Sequence, residues 1–313
     1  CLAACPRKAI YKREEDGIVL VDQDDCRGWR MCVSACPYKK VYFNHKTNKA
    51  EKCTLCYPLI EQGKPTICSE TCVGRLRYLG LMLYDADRVL EAAAIENDHD
   101  LLDAQRSVFL DPFDPAVIAA AKKNKISDAM IASAQNSPVY KFVKKWQIAL
   151  PLHPDFRTLP MLYYVPPMLP VLAKTKDGNY DVDGLEKEGL PAMLSSLEKA
   201  RMPIKYMASL FSAGNVPVVE EVYRKLIAVR IFKRAQKVKD YQQAEVDAAL
   251  TQGKTNAEEV EAIFRLTSLP TYEERFVIPP LGREVAVEAW ESPLDRKREA
   301  GFGVRNKIAK RKF

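Results

Sequence analysis

The sequence predicts an α+β protein in which a cysteine-rich module with short strands precedes a mainly helical region. All nine cysteines lie between Cys1 and Cys72. Segments with the β-branched and aromatic content of strands lie among them. Beyond about residue 91, apolar residues recur at helical spacing. These observations predict three domains, which are a cysteine module over residues 1–90, a helical domain over 91–293 and a basic tail over 294–313.

Local patterns predict the elements of the cysteine module. Residues 17–22, Gly-Ile-Val-Leu-Val-Asp, follow a turn-prone acidic stretch and are expected to form a strand. Residues 41–43, Val-Tyr-Phe, predict a second strand. Residues 69–79 are expected to form a helix, because Glu70 lies in its first turn and two arginines follow, which suits the helix dipole.

Helices dominate the prediction for the second domain. One helix is indicated by the spacing of Val219, Val222, Tyr223, Leu226 and Val229. Pro217 and two glutamates lie near its start, and basic residues lie near its end. Residues 255–258, Thr-Asn-Ala-Glu, match a capping box before another helix.

The segment 159–172 is apolar but rich in proline. Its prolines break it too often, and it is too short, for a helix that spans a bilayer. The sequence of this segment is consistent with two interpretations. The segment is either an internal strap over the core or a docking surface for another subunit.

The charge of the chain is unevenly distributed. The net charge is +7, and residues 294–313 contribute eight basic residues against Asp295 and Glu299, a net of +6. A nearly neutral body argues against nucleic-acid binding, which would need a basic face. The tail is either a solvated end or a contact for anionic lipid or partner subunits. No signal peptide is visible.

The cysteines form three runs. An odd count confined to under a quarter of the chain does not suit a disulfide framework and favours metal ligation in a reducing compartment. The runs are Cys1-x3-Cys5-Pro6, Cys26-x2-Trp29-x2-Cys32-x3-Cys36-Pro37, and Cys53-x2-Cys56-x11-Cys68-x3-Cys72. Bacterial ferredoxins use C-x2-C-x2-C-x3-C-P, in which three thiolates hold one cluster and the fourth reaches the neighbouring cluster. The sequence therefore predicts a ferredoxin-like dicluster module.

The ferredoxin rule assigns ligands in the first two runs. Cys36 is expected to join Cys1 on one 4Fe–4S cluster. Cys5 is expected to join Cys26 and Cys32, while Trp29 occupies the remaining ligand position. Indole cannot serve as a thiolate ligand, so these three cysteines are expected to hold a 3Fe–4S cluster.

The third run extends the same rule. Cys53, Cys56 and Cys68 are expected to bind a 4Fe–4S cluster, and Cys72 a further one. The expected total is three 4Fe–4S clusters and one 3Fe–4S cluster, with six further cysteines upstream of Cys1. A zinc ribbon from the third run would fit generic spacing but would leave the second run unexplained. The scattered histidines, His45, His99 and His153, are expected to be structural or surface residues.

Three stretches resemble the beta chains of respiratory nitrate reductases. They are Cys-Arg-Gly-Trp-Arg-Met-Cys-Val-Ser-Ala-Cys-Pro-Tyr-Lys-Lys (26–40), Lys-Cys-Thr-Leu-Cys-Tyr-Pro (52–58) and Cys-Ser-Glu-Thr-Cys-Val-Gly-Arg-Leu-Arg-Tyr-Leu-Gly (68–80). The segment 83–88, the Tyr-Val-Pro-Pro stretch at 164–167 and the helical C-terminal region are similar too. The resemblance covers nearly all of the chain and implies that an N-terminal portion precedes Cys1.

The resemblance implies an electron-transfer subunit with no substrate-reducing site of its own. Electrons would come from a quinol-oxidising, haem-b gamma subunit in the membrane. They would pass to an alpha subunit, whose molybdenum–bis-pterin cofactor reduces nitrate to nitrite. The complex would lie on the cytoplasmic face of the bacterial membrane, with this chain attached peripherally through its partners.

Two other functions are consistent with parts of the pattern. Relatives that serve chlorate, selenate, ethylbenzene or dimethyl sulfide chemistry carry similar iron–sulfur subunits, and the cysteines alone do not name the final substrate. A structural zinc-binding scaffold is the second alternative. It predicts a colourless protein without redox-active iron.

Overall fold

The computed structural model describes residues 2–13, 16–167, 174–176, 179–181, 190–191, 194, 197–199 and 202–279. These residues form two compact units, one up to Ile67 and one from Cys68 to Pro279. Cys1, residues 168–172 of the proline-rich segment and the basic tail over 294–313 lie outside the described residues.

The first unit is built on two antiparallel hairpins. Strand β1, Ile10–Lys12, pairs with β2, Val19–Val21, so that Ile10 lies opposite Val21. Strand β3, Val41–Asn44, pairs with β4, Lys49–Lys52. Both predicted strands are thereby confirmed. The helices of this unit are short, Met31–Ala35 and Tyr57–Ile60.

A small core holds the two hairpins together, since β2 packs against β4. Cysteines supply three of the seven buried residues in this core. Its buried members are Ala9, Ile10, Cys26, Cys32, Cys36, Val41 and Ala50. Thiols therefore make up a large share of this core, while other apolar residues of the unit, such as Ile18 and Leu20, are buried outside it.

The second unit is mainly helical, as the sequence predicts. Its helices after the short helix Ile67–Glu70 are Arg88–Ala93, Leu101–Ser107, Pro115–Lys123, Asp128–Asn136, Pro138–Tyr140, Ile204–Phe211, Val216–Lys237, Gln243–Gln252, Ala257–Ser268 and Tyr272–Arg275. A π-helical turn covers Lys141–Lys145, and 3-10 turns cover Asp98–Asp100, Pro154–Phe156 and Leu197–Lys199.

A small sheet completes this unit. Strands β5, Arg77–Tyr78, and β6, Leu150–Pro151, both pair antiparallel with β7, Tyr163–Tyr164, which lies between them. A separate hairpin joins β8, Lys174–Lys176, to β9, Asn179–Asp181.

The helix Val216–Lys237 is the centre of the second core. Pro217 lies in its first turn, and Arg234 and Lys237 lie in its last turn, so the predicted charge order is present. Three helices pack around it, Ile204–Phe211, Gln243–Gln252 and Ala257–Ser268. Because neighbours cover several of its faces, consecutive residues such as Leu226, Ile227 and Ala228 are all buried.

The predicted helix over 69–79 is wrong. The helix Ile67–Glu70 ends after one turn, and Arg75 adopts a left-handed φ of 48°. Tyr78 then enters β5 opposite Tyr163. The acidic and basic residues do suit a helix, but pairing with a strand remote in sequence determines the backbone here.

The capping box predicted at 255–258 is also wrong, although the helix predicted to follow it is present. Asn256 is the N-cap, and its side chain accepts a hydrogen bond from the Glu259 N–H at 2.8 Å. The Thr255 hydroxyl instead donates to the Glu259 carboxylate at 2.9 Å.

The described part of the proline-rich segment lies within the second core. Tyr163 and Val165 are buried, and β7 is the middle strand of its sheet. This placement fits the internal-strap interpretation for residues 159–167. Within the described ranges, no helix has the length and apolar character needed to cross a membrane.

Candidate metal centre

One pocket of the first unit contains the residues predicted to surround a 3Fe–4S cluster. Cys5, Cys26, Trp29 and Cys32 all line it, together with the apolar Ala4, Pro6, Met31 and Ala50. We refer to it as the three-cysteine pocket, after Cys5, Cys26 and Cys32. Cys26 and Cys32 are buried, Cys5 is half-buried, and all three thiols are free.

Local structure brings these three thiols together. The loop before Cys26 is fixed by Asp22, whose backbone N–H donates to the Ala9 carbonyl at 2.7 Å. The Asp22 carboxylate accepts from the backbone N–H of Asp24 at 2.9 Å. The Cys26 N–H then donates to the Asp22 carbonyl at 3.1 Å. Cys32 follows on the short helix Met31–Ala35.

Gly28 is required by the close approach of two loops. Its φ is +70°, and a Cβ atom at this position would lie 2.4 Å from the Asn48 carbonyl oxygen. Any side chain would push the loop that carries Cys26 and Trp29 away from the turn between β3 and β4.

Backbone N–H groups point at several of the cysteine sulfurs. The Ala50 N–H donates to Cys26 Sγ at 3.3 Å, and the Leu55 N–H donates to Cys53 Sγ at 3.3 Å. In the second unit, the Leu76 N–H donates to Cys72 Sγ at 3.4 Å. Donors aimed at sulfur stabilise thiolates and are among the factors that set the potentials of iron–sulfur clusters.

Electrostatics in the three-cysteine pocket favour a bound cation. Burial raises the pKa of the Cys32 thiol, and negative charge on Cys5 and Cys26 would raise it further. Three thiolates so close together repel one another unless positive charge lies between them. Iron ions would supply that charge, and thiolate is the form of cysteine that binds them. The donor set therefore fits an iron–sulfur cluster.

Trp29 lines this pocket and is exposed. Its side chain is 57% exposed, although it occupies the sequence position of a ligand. The next residue, Arg30, has a left-handed φ of 61°, and its guanidinium carbon lies 4.2 Å from the centre of the Phe43 ring. The lining of the pocket thus contains three cysteines and Trp29, the residue at the fourth ligand position of the sequence run.

Two lysines of β4 flank the cysteines and were missed by the sequence reasoning. Lys49 Nζ donates to the Cys26 carbonyl at 2.7 Å. Lys52 Nζ donates to the carbonyls of Val19 at 2.5 Å and Cys53 at 2.6 Å. Burial lowers the pKa of Lys52, and the neighbouring sulfurs of Cys53 and Cys36 oppose that effect. No motif signals Lys49, since it meets Cys26 only through hairpin pairing, whereas Lys52 directly precedes Cys53 in the sequence.

Cys36 and Cys56 occupy separate positions in the first unit. Cys36 is buried in the same small core as Cys26 and Cys32. Cys56 has a left-handed φ of 48° and is the N-cap residue that precedes the helix Tyr57–Ile60.

A buried ion pair fixes the helix that follows Cys56. Arg13 and Glu61 form this pair, and both side chains are almost fully buried. The Arg13 guanidinium carbon also lies 4.8 Å from the centre of the Tyr57 ring. The pair therefore ties this helix to β1, the strand that ends just before Arg13.

The second unit holds Cys68 and Cys72. Cys68 lies on the helix Ile67–Glu70. Burial alone would raise the pKa of the Cys72 thiol. The N–H groups of Leu76 and Arg77 and the charges of Arg77 and Arg275 outweigh that effect, so that the pKa of Cys72 is lowered. Its surroundings thus favour a thiolate, the ligand form.

The structure brings together some of the predicted site residues. Cys5, Cys26, Cys32 and Trp29 share one pocket. Cys53 and Cys56 lie in the first unit, and Cys68 and Cys72 lie in the second. Across the described ranges, no three His, Cys, Asp or Glu side chains are arranged to hold a single metal ion. The ligand assignments stay predictions.

The three histidines pack against aromatic rings or lie at the surface. The His45 ring packs edge-on against Phe43, with the ring centres 4.9 Å apart. His99 is exposed. His153 stacks on Phe156, with the ring centres 4.6 Å apart.

Comparison with known proteins adds two matching families. Residues 1–82 match the family described as 4Fe-4S dicluster domain. Residues 169–253 match the family described as respiratory nitrate reductase beta C-terminal. The two matches flank a stretch that neither family covers.

Curated relatives extend the similarity along the chain. The respiratory nitrate reductase 2 beta chain of Escherichia coli (strain K12) is 49% identical over 93% of this chain and 54% of its own length. The respiratory nitrate reductase beta chain of Bradyrhizobium sp is 40% identical over 93% of this chain and 82% of its own. The dimethylsulfide dehydrogenase subunit beta of Rhodovulum sulfidophilum is 38% identical over 70% of this chain and 47% of its own. The chain thus spans about half the length of several curated relatives that it matches.

Proposed function

The chain belongs to the family of respiratory nitrate reductase beta chains, and on that premise we propose that it is the electron-relay subunit of a quinol:nitrate oxidoreductase. Electrons would enter from a haem-b gamma subunit that oxidises quinol in the membrane. They would leave to an alpha subunit whose molybdenum–bis-pterin cofactor reduces nitrate to nitrite. The observation that carries the proposal is the three-cysteine pocket, which Cys5, Cys26 and Cys32 line together with Trp29.

The proposed ligands follow the spacing of the cysteine runs. Cys5, Cys26 and Cys32 would hold a 3Fe–4S cluster. Cys1 and Cys36 would contribute to one 4Fe–4S cluster, Cys53, Cys56 and Cys68 to a second, and Cys72 to a third. Each cluster, when bound, accepts and releases single electrons.

The chain's own residues would position these centres and set their surroundings. Thiolates would hold the iron, and the backbone N–H groups of Ala50, Leu55 and Leu76 would stabilise the negative charge on sulfur. The buried Ala50 would pack beside the 3Fe–4S cluster, while the exposed Arg7, Arg27 and Arg30 would leave part of the pocket in contact with water. No substrate chemistry is proposed for this chain, because the reactions at both ends would take place on the partners.

The proposed location is the cytoplasmic face of the bacterial membrane, with peripheral attachment through the alpha and gamma subunits. Family membership supports this placement. The basic tail over 294–313 is a candidate contact for anionic lipid or for a partner, because each basic residue near such a surface contributes roughly 1 kcal/mol.

A second candidate is the iron–sulfur subunit of a related enzyme that acts on another substrate. The similarity to dimethylsulfide dehydrogenase subunit beta supports it but covers 70% of the chain. Similarity to the nitrate reductase chains covers 93% and is accompanied by the match at 169–253. The wider coverage favours nitrate, and the large-subunit gene beside this one would decide between the two.

The proposal is tested by Trp29→Cys in the complete enzyme complex. A thiol at position 29 would provide the missing ligand and convert the 3Fe–4S cluster towards 4Fe–4S. Low-temperature EPR of the oxidised complex should then lose the three-iron signal. Tyr42→Cys is the matched control, since Tyr42 is also 57% exposed in the same unit but lies outside the pocket.

Two results would contradict the proposal. One is a three-iron signal that persists in Trp29→Cys while the new thiol still reacts with an alkylating agent. The other is wild-type protein, prepared without oxygen, that contains zinc and no iron or acid-labile sulfide. The second result would support the structural zinc scaffold instead.

A further inference from the structure

We propose that three arginines of the second unit, Arg75, Arg77 and Arg275, raise the reduction potential of the cluster bound by Cys72. We call them the arginine group. The inference rests on the proposed function, because it assigns a role to residues beside one proposed ligand. The reduction potential of this cluster would then be set by the charges around Cys72 rather than by the cysteine itself.

Arg275 is the buried member of the arginine group. Only 8% of the residue is exposed, and its Nη2 donates to the carbonyl oxygen of buried Ser69 at 3.1 Å. Its guanidinium carbon lies 5.5 Å from the centre of the Tyr78 ring and 5.0 Å from that of Phe276. The guanidinium is thus held between two aromatic rings and the turn that carries Cys68 and Cys72.

The other two members are anchored to the same region. Arg75 donates its backbone N–H to the Cys72 carbonyl at 2.9 Å and its Nη1 to the Ser268 carbonyl at 2.5 Å. Arg77 Nη1 donates to the Cys68 carbonyl at 3.4 Å. All three side chains therefore hydrogen-bond to backbone carbonyls, which orient a guanidinium without neutralising its charge.

Carboxylates do not balance this charge. Among the described residues, no ion pair involves any member of the arginine group. Other cations of the same unit are paired, such as Arg265 with Glu274 and Lys225 with Glu259. In addition, the Nε of Arg275 is buried without a hydrogen-bond partner in the described part of the chain.

An anion at Cys72 would resolve this imbalance. A buried guanidinium without a counter-charge is strongly destabilising, so its presence indicates a negative group nearby. An iron–sulfur cube held by four thiolates is negatively charged and becomes more negative by one unit on reduction. Nearby positive charge therefore favours the reduced form and raises the potential.

The three-cysteine pocket provides an internal contrast. Arg7, Arg27 and Arg30 also line that pocket, but all three are exposed. Water and salt screen exposed charges far more than buried ones. Arg275 should thus affect its cluster more strongly than any one of these three affects the 3Fe–4S cluster.

The test is a potentiometric EPR titration of the complete complex with Arg275→Met, which removes the charge and keeps much of the bulk. One of the clusters should shift to a lower potential, with about a tenfold change in its ratio of reduced to oxidised form, or ~59 mV for one electron. Arg275→Lys should restore most of the potential, because it retains the charge. Arg265→Met, which removes an ion-paired arginine, should leave every potential unchanged.

The outcomes separate this inference from the proposed function. A complex with full iron content and unchanged potentials in Arg275→Met would overturn the inference while leaving the relay intact. An equal shift in Arg265→Met would also overturn it. If Arg275→Met fails to assemble, Arg77→Gln replaces it, since Arg77 is exposed; a smaller shift in the same direction is expected, and none would reject the proposal.

Discussion

The two units of this chain have very different interiors. In the first unit, three of the seven residues in its buried core are cysteines, further apolar residues such as Ile18 and Leu20 are buried outside that core, and its helices have no more than five residues. The second unit is organised around a 22-residue helix with eight buried residues. A core as small as the first one provides little stabilisation by apolar burial alone. The contrast indicates that bound clusters stabilise the first unit, whereas side-chain packing stabilises the second.

The largest expected effect is that of withholding iron. When cluster assembly is blocked, full-length protein should lose the ordered hairpins β1–β2 and β3–β4, because metal binding supplies their folding free energy. The helix Val216–Lys237 should stay folded. Hydrogen exchange read by mass spectrometry would show fast exchange in the first unit and protection in that helix. Equal protection of the hairpins and of the helix would contradict the proposed difference in how the two units are stabilised.

Breaking the buried Arg13–Glu61 pair should have the next largest effect, and only on the first unit. Arg13→Met would leave a buried carboxylate without its partner, at a cost of about 3–5 kcal/mol. Guanidinium-induced loss of cluster absorbance would measure the change. The double variant Arg13→Met/Glu61→Leu should recover only part of the stability, because Asp16, whose carboxylate lies 3.2 Å from Arg13 Nη2, would still lose that contact. A double variant as unstable as the single one would mean that the pair has a role other than charge compensation.

A cavity in the helical core should affect the second unit alone. Leu226 is fully buried, so Leu226→Ala should lower the free energy of unfolding by about 2–5 kcal/mol. Far-UV circular dichroism would follow the unfolding, and the EPR signals at low temperature should not change. Leu269→Ala is the matched control, since Leu269 is 69% exposed and its loss should change stability by less than about 0.5 kcal/mol.

Removal of a helix cap should give the smallest effect. Asn256→Ala deletes the acceptor for the Glu259 N–H and should destabilise the helix Ala257–Ser268 by about 1 kcal/mol. Asn256→Gly should cost only a few tenths of that amount. Thermal unfolding of both variants would check the order, and a larger loss for the glycine variant would contradict it.

Local patterns could be predicted from the sequence, whereas features that depend on remote partners could not. The strands β2 and β3 and the helix Val216–Lys237 follow from residue type and spacing. The turn after Cys72 does not, because its conformation depends on β7. The same division applies to the site. Cysteine spacing predicts the three cysteines of the pocket, while Lys49 and Arg275 reach cysteine-bearing loops only after folding.

The pairing of β5 with β7 also has a consequence for biosynthesis. A ribosome makes the segment that carries Cys72 well before it makes Tyr163 and Tyr164, the neighbours of β5. The guanidinium of Arg275, which donates to the Ser69 carbonyl, emerges later still. The final environment of this cysteine therefore forms only when translation of the described region is nearly complete, so the nascent chain exposes its thiol long before the surrounding scaffold exists.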